Sequence, residues 1–387
     1  MLPKTESACF AIADISGYTN FVAGVELDHA QDIIADIMDT LVKALRPPFR
    51  LAKFEGDAAF VYALADKVDG SLLQDSIEAA YCAFRKRLRN IRQANSCVCQ
   101  ACSRMQSLDV KFVVHHGDFV RQKMAGREEL AGRDVILVHR LLKNEVSKTF
   151  GAHAYALYSD ACVQAMGIDP KAQGLVEHVE TIDNFGEVKC WVSDLERVWT
   201  RDSDTKRTVV QRADAFAVIE TDFAAPRPAV WELITMPGNR PRWQGSDSVV
   251  ENTAKGRRGA GTQNHCMHGK DAIVEDILNW RPFDSVTFTT LLPAPGAPKI
   301  LMGYAFEDRD DGGTHFEVRF AKPKPKDAPF FEHIWPNVQA KFAGEFEILR
   351  GLLADEAKAA AAVEKPPLPL SRMRFRAEPV PAPPGQA

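Results

Sequence analysis

Two aspartates define the chemistry open to this chain. Asp57 closes the segment Lys53-Phe-Glu-Gly-Asp57, where two apolar runs flank a polar turn that carries Lys53, Glu55 and Asp57 around Gly56. The pattern predicts a β-hairpin with arms at 51–53 and 58–63, its tip charged where a tight turn needs glycine. Asp14 ends an apolar strand in Phe10-Ala-Ile-Ala-Asp14-Ile-Ser-Gly-Tyr-Thr-Asn-Phe21, which then opens a helix. A carboxylate at a hairpin tip or strand end can reach a cation, and a helix start offers free N–H groups to phosphate. Two carboxylates sharing Mg²⁺ or Mn²⁺ beside such a helix start make a workable nucleotidyl-transfer site.

The pair Asp-Ile-Ser-Gly-Tyr-Thr and Lys-Phe-Glu-Gly-Asp resembles the catalytic signature of class III nucleotide cyclases. About residues 8–198 resemble an uncharacterised bacterial branch of cyclase-like proteins. The resemblance implies an α+β fold with a ferredoxin-like catalytic domain that works as a head-to-tail homodimer. It implies that Asp14 and Asp57 of one chain hold two Mg²⁺ or Mn²⁺ ions, while Lys53, Glu129 and Arg140 come from the other. Lys53 falls on the family's adenine-reading lysine, three before the hairpin glycine. Counted from Gly132, Glu129 falls on the base-reading position and Arg140 on the catalytic arginine. Lys53 donating to a ring nitrogen and Glu129 accepting from the exocyclic amine favour adenine over guanine. Ser16, Gly17 and Tyr18 would offer backbone donors to the phosphates of ATP, and the products would be cyclic AMP and pyrophosphate.

Two departures from the family pattern weigh against fast turnover. Ile136 stands where the family has a catalytic asparagine. Asp183 or Asn184 stands where a lysine usually grips the triphosphate, with Lys189 on the far side of that turn. Loss of one positioned charge-stabilising donor typically lowers a rate by about 10²–10³. The alternative expectation is therefore a catalytically silent nucleotide-binding or dimerisation module coupled to a ligand sensor.

These residues sit in a chain of 387 residues, long enough for two domains with separate cores. It is 45% hydrophobic and 26% charged with a formal net charge of −4, which gives no electrostatic case for binding nucleic acid. No apolar run approaches the roughly 20 residues of a membrane span, and Met-Leu-Pro-Lys-Thr-Glu lacks a signal-peptide core, so a cytoplasmic location is expected. Of eight cysteines, Cys97, Cys99 and Cys102 cluster within six residues. A turn can point three thiols at one ion, and a structural Zn²⁺ would need a fourth ligand; an exposed reduced loop is the other reading.

Helical spacing predicts helices over 21–45, stopped by Pro47-Pro48, and over 76–92, whose Arg85, Lys86, Arg87, Arg89 and Arg92 read as a solvated face. Strands are expected at 110–116 and 119–124, with His115 and His116 facing opposite ways in structural roles. A helix is expected from Val135, and a last hairpin within 181–195. Residues 199–212 read as a linker.

The following stretch, 213–362, predicts a strand over 216–223 and a short helix over 229–235. Strands then follow near 249, 262–267, 272–280, 285–290, 301–307 and 315–320, before a long helix from about Pro336. Its Pro-x-x-Val-Trp-Glu-Leu-Ile and Pro-Arg-Trp-Gln resemble the START/Bet v1-like (SRPBCC, polyketide-cyclase-like) superfamily. That resemblance implies a helix-grip domain whose cavity often holds an apolar ligand. His265 and His268 lie three apart on a strand and so face opposite sides, which disfavours a shared metal; at most one of them would line the cavity, near Trp243. The Pro-rich residues 363–387 are expected to be disordered.

Overall fold

The computed structural model describes residues 4–25, 27–94, 104–124, 126–204, 208–253, 256–292 and 297–363. The cysteine cluster at Cys97, Cys99 and Cys102 and the Pro-rich tail after residue 363 lie outside the described residues.

The chain forms two mixed α+β layers around separate sheets. In the first half, β1 (Thr5–Ser16) is the hub. It pairs antiparallel with β3 (Ala58–Leu64) on one side and with β4 (Asp109–Met124) on the other. The hairpin partner β2 (Arg50–Glu55) forms the outer edge beyond β3. On the far side follow β6 (Tyr155–Ser159), parallel to β4, then β8 (Gly186–Asp194) and β7 (Val176–Ile182). The short β5 (Arg127–Ala131) folds back on β4. Residues Ala8 to Ala13 of β1 are fully buried, so β1 reads as a near-continuous apolar run because both faces of the sheet are covered.

One face is covered by α2 (Leu27–Leu45) and α3 (Gly70–Ala94); α4 (Arg133–Arg140) covers the other. The expected helix over 21–45 is broken. Tyr18–Ala23 forms a separate one, α1, and α2 begins only after Gly24. At the break the Gly24 N–H donates to the Phe21 carbonyl at 3.2 Å and Arg104 donates to the Gly24 carbonyl at 3.4 Å. The two strands expected at 110–116 and 119–124 are one continuous strand, β4. The short helices α5 (Val146–Phe150) and α6 (Asp160–Ala165) complete the layer, and α7 (Leu195–Asp204) follows β8.

The basic face of α3 is not simply solvated. Arg87 grips Asp36 on α2 through two hydrogen bonds of 2.6 and 3.0 Å, and Lys86 reaches Asp284 at 3.4 Å. Arg85 pairs with Asp109 and Arg89 stacks over Trp199 at 5.0 Å, so a run that looks like surface in sequence links four other elements.

The second sheet is fully antiparallel, in the order β10-β11-β12-β13-β14-β15-β9. Its strands are β9 (Ala215–Phe223), β10 (Ser248–Asn252), β11 (Gln263–His268), β12 (Asp271–Arg281), β13 (Ser285–Leu291), β14 (Ile300–Asp308) and β15 (Thr314–Ala321). The helices α8 (Arg227–Thr235) and α9 (Pro241–Gln244) and the long α10 (Ala328–Val363) pack with it. Expected strand positions match to within a few residues. The last helix starts eight residues earlier than Pro336, which lies inside it. Between sheet and α10 the rings of Phe223, Tyr304, Phe316, Phe320, Phe342 and Phe346 meet edge-on or tilted.

That interior also holds charge. Arg240 makes two hydrogen bonds, of 2.6 and 2.7 Å, to Glu275, and both side chains are buried. Glu345 on α10 is 6% exposed, its Oε1 accepts no hydrogen bond, and burial pushes its carboxyl up to about 7 despite Lys341 and Arg240. A carboxyl raised in the folded state contributes stability that is present below the unfolded value and lost as pH rises through the folded one. We therefore expect Glu345→Gln to leave urea stability unchanged near pH 4. At pH 8, above the titration, it should stabilise the fold by up to about 3 kcal/mol.

Candidate functional site

Both aspartates stand at one end of the first sheet. The β1–β3 register sets Asp14 opposite Ala58, and the Ile15 N–H donates to the Asp57 carbonyl at 3.1 Å. Gly56 takes φ +66° in the hairpin turn, with open space around it, so glycine is needed there for conformation rather than room. Burial first, and the charge of Asp14 second, hold the Asp57 carboxyl above its ordinary range, with Lys111 acting in the opposite sense. A carboxyl that burial and a neighbouring carboxylate keep from ionising is relieved by a cation. The donor set, two carboxylates at the accessible end of a sheet, fits a hard divalent ion.

Lys111 already supplies one positive charge. Its ammonium lies 3.1 Å from Asp14 Oδ2 and donates to the Leu142 carbonyl at 3.2 Å. Spacing could not reveal this contact, because β1 and β4 pair across nearly a hundred residues. The β1–β4 register places Lys111 directly opposite Asp14, so the antiparallel pairing explains it. Nearby, Ser16 Oγ donates to the His153 carbonyl at 3.2 Å, Gly17 adopts φ +85°, and Tyr18 begins α1.

A second cluster lies on the β2 side. Lys53 Nζ sits 2.9 Å from Glu55 and 3.6 Å from Glu129, so the two base-reading candidates meet within one chain. The hydrogen bond to Glu55 leads in raising the Lys53 ammonium above its ordinary value. Burial alone would raise Glu55, but Lys53 and His139 outweigh it and bring that carboxyl below its usual range. His139 was not among the expected site residues. Its Nδ1–H donates to the Val135 carbonyl at 2.6 Å and its Nε2 lies 3.1 Å from Glu55 Oε1, and nothing but its place one residue before Arg140 marks it in sequence.

Lys53, Glu55, Ile136, His139, Arg140 and Lys143 share a shallow pocket of about 410 Å³. Arg140 therefore accompanies Lys53, as expected from the helix. Ile136 is 54% exposed in that pocket, at the position where an asparagine was sought, and Phe54, next to Lys53 on β2, is 44% exposed. Lys111 partners Asp14, while Glu55 and Glu129 partner Lys53.

The last hairpin forms as expected, with Asn184 at φ +69° in its turn. Lys189 is engaged there, 3.1 Å from Glu177 and over the Trp191 ring. His115 donates or accepts at 2.7 Å from Ser159 and is pushed down by burial, whereas His116 is half-exposed, so the neighbours do part to opposite faces. His265 pairs with Gln263 and His268 with the Gly245 carbonyl, and Trp243 Nε1 donates to the Leu233 carbonyl.

Among the described residues, one other group brings possible metal ligands together. Glu220, His315 and Glu317 place ligand atoms within 4.8 Å of one another on β9 and β15. The Arg212 guanidinium bonds to both glutamates and Arg319 also holds Glu317, so the carboxylates are already balanced. No helix among the described residues is long and apolar enough to cross a membrane.

The comparisons reach only parts of the chain. A family model described as a protein of unknown function, DUF2652, matches residues 34–149. An uncharacterized Mycobacterium tuberculosis protein, Rv2561/Rv2562, is 40% identical over 113 residues, 29% of this chain and 52% of that protein. The match thus spans about half the length of that curated relative. Among solved structures, a bacterial light-regulated adenylyl cyclase gives a TM-score of 0.39 at 9% identity, covering 52% of this chain and 58% of the other. The adenylyl cyclase CyaB from P. aeruginosa gives 0.36 at 17% identity, covering 50% of this chain and 97% of that one.

Proposed function

We propose that the chain is a divergent nucleotide cyclase that converts ATP to cyclic AMP and pyrophosphate at the interface of a homodimer. The observation that carries the reading is the pairing of Asp14 and Asp57 at one sheet end, where burial and then the Asp14 carboxylate hold the Asp57 carboxyl above its ordinary range. Asp14 and Asp57 would hold Mg²⁺ or Mn²⁺, which supplies charge stabilisation to the transferring phosphoryl group. Lys111, 3.1 Å from Asp14, would have to share that carboxylate with a bound cation. Lys53 and Glu129 of the partner subunit would read adenine, and Arg140 would face the developing negative charge. The distinct partners of the two clusters, Lys111 on Asp14 and Glu55 with Glu129 on Lys53, support a site completed by a second copy. So do the exposed apolar side chains Phe54 and Ile136 beside the Lys53 pocket, which a partner would cover.

A second reading rests on three residues. Lys111 on Asp14, Ile136 in the Lys53 pocket and Lys189 tied to Glu177 favour a module that binds nucleotide without turnover. In that reading the second sheet layer senses a small molecule, for which a START-like domain over 213–362 is the proposal.

Complementation tests the shared site. Asp57→Asn and Arg140→Ala dimers should each be inactive. An equal mixture allowed to exchange subunits should recover about one quarter of wild-type cyclic AMP formation, because half the dimers are mixed and each mixed dimer holds one intact site of two. A mixture that stays inactive while wild type is active contradicts the shared site.

A further inference from the structure

A cleft of about 1260 Å³ opens between the two sheet layers. One wall is α2 and α3; the other is built from the loops around Arg227, Arg258 and Asp284 in the second layer. Nine lysine and arginine side chains line it against five carboxylates. Carboxylates outside the lining absorb part of that excess: Asp69 sits 3.2 Å from Arg258, and Asp39 is 2.7 Å from Lys43.

The hydrogen-bond accounting is more telling than the charge. Three buried donors that line the cleft have no partner: Arg258 Nε, Arg227 Nε and Asn279 Nδ2. The Arg258 and Asn279 residues are only 6% and 4% exposed. An unpaired buried donor costs about 1–3 kcal/mol, so native folds rarely leave several in one place without a partner for them. All three are N–H groups, and none is an acceptor. Arg46, which also lines the cleft, has no ion-pair partner among the described residues. Pro226, Pro228, Trp280 and Phe283 give the same space an apolar wall.

We propose that this cleft is a binding site for a small molecule bearing an oxyanion, a phosphate or a carboxylate, with an apolar body against Trp280 and Phe283. The site is separate from the Asp14–Asp57 cluster and does not depend on its reading. The oxyanion accepts from Arg258 Nε, Arg227 Nε and Asn279 Nδ2 while Arg46 adds charge at the mouth. Such a ligand touches both layers at once and therefore resists their separation.

The test is calorimetric titration of the full chain with pyrophosphate, and separately with citrate, in EDTA, so that a metal-dependent nucleotide site does not contribute. Saturable binding of at least one probe is expected, with a melting temperature that rises with its concentration. Asn279→Ala and Arg46→Ala should each weaken that binding about tenfold or more, and Arg46→Ala, at the cleft mouth, should keep the melting temperature of the free protein. A response to pyrophosphate alone assigns a phosphate ligand; a response to citrate alone assigns a carboxylate. Absence of saturable binding by wild type, or equal binding by both variants, overturns the proposal.

Discussion

Arg257→Met should destabilise the protein by about 3–5 kcal/mol, although the residue lies outside the Asp14–Asp57 and Lys53 clusters. Arg257 crosses between the layers to α3, bonding to Asp75 and reaching Glu78 Oε1 at 2.8 Å, while Trp280 Nε1 donates to Asp75 at 2.9 Å. Asp75 is 1% exposed. Its carboxyl is raised by burial and held down in part by Arg257; the same guanidinium brings Glu78 below its ordinary value against burial. Removing the arginine leaves both carboxylates desolvated, Asp75 with the Trp280 N–H and Glu78 with Arg201 at 3.6 Å as what remains to balance them.

The loss should also depend on pH in a defined direction. Without Arg257 both carboxyls hold protons in the folded state above their unfolded values. The variant's stability is then greatest at low pH and falls as pH rises through the raised folded values. Urea unfolding at pH 5 and pH 8 should show a larger deficit at pH 8. Replacing all three charges, as in Arg257→Met with Asp75→Leu and Glu78→Leu, should recover most of the loss, since no uncompensated charge remains. An equal deficit in the single and triple variants would mean that packing, not charge, governs the contact.

How much of this was legible in the sequence follows from contact range. The β2–β3 hairpin, the strand ending near Asp14 and the helix carrying Arg140 are local patterns: alternation, a glycine turn, helical spacing. Lys53 and Glu129 were placed by their offsets from two glycines, and the fold brings them to 3.6 Å. Lys111 escaped notice because its partner Asp14 is set by strand register, not spacing. His139 gave no signal of its own. The basic face of α3 looked solvated because its partners, Asp36, Asp109 and Asp284, are distant in sequence. Arg257 and Asp75 are separated by 182 positions, and no local pattern announces such a pair. Helix ends failed where tertiary contacts decide, as at Gly24 and before Pro336.

Ile136 and Lys111 bear on catalysis in the same direction. An exposed isoleucine cannot orient a reacting ribose, and an ammonium on Asp14 competes with the ion that carboxylate would hold. Any turnover should therefore be slow and should favour conditions that fill the aspartate pair, with Mn²⁺ the natural choice for a weak oxygen-ligand site.

The most direct measurement is cyclic AMP formation from ATP and Mn²⁺ by the wild-type protein and by Asp57→Asn at equal concentration. Asn keeps the size of the side chain and removes the charge, so folding should be preserved while the proposed metal site loses one of its two carboxylates. The account predicts slow product formation by wild type and a loss of at least about 10²-fold in the variant. Equal rates in the two proteins, or no cyclic AMP from wild type while ATP still raises its melting temperature, would contradict the cyclase and leave the silent nucleotide-binding module.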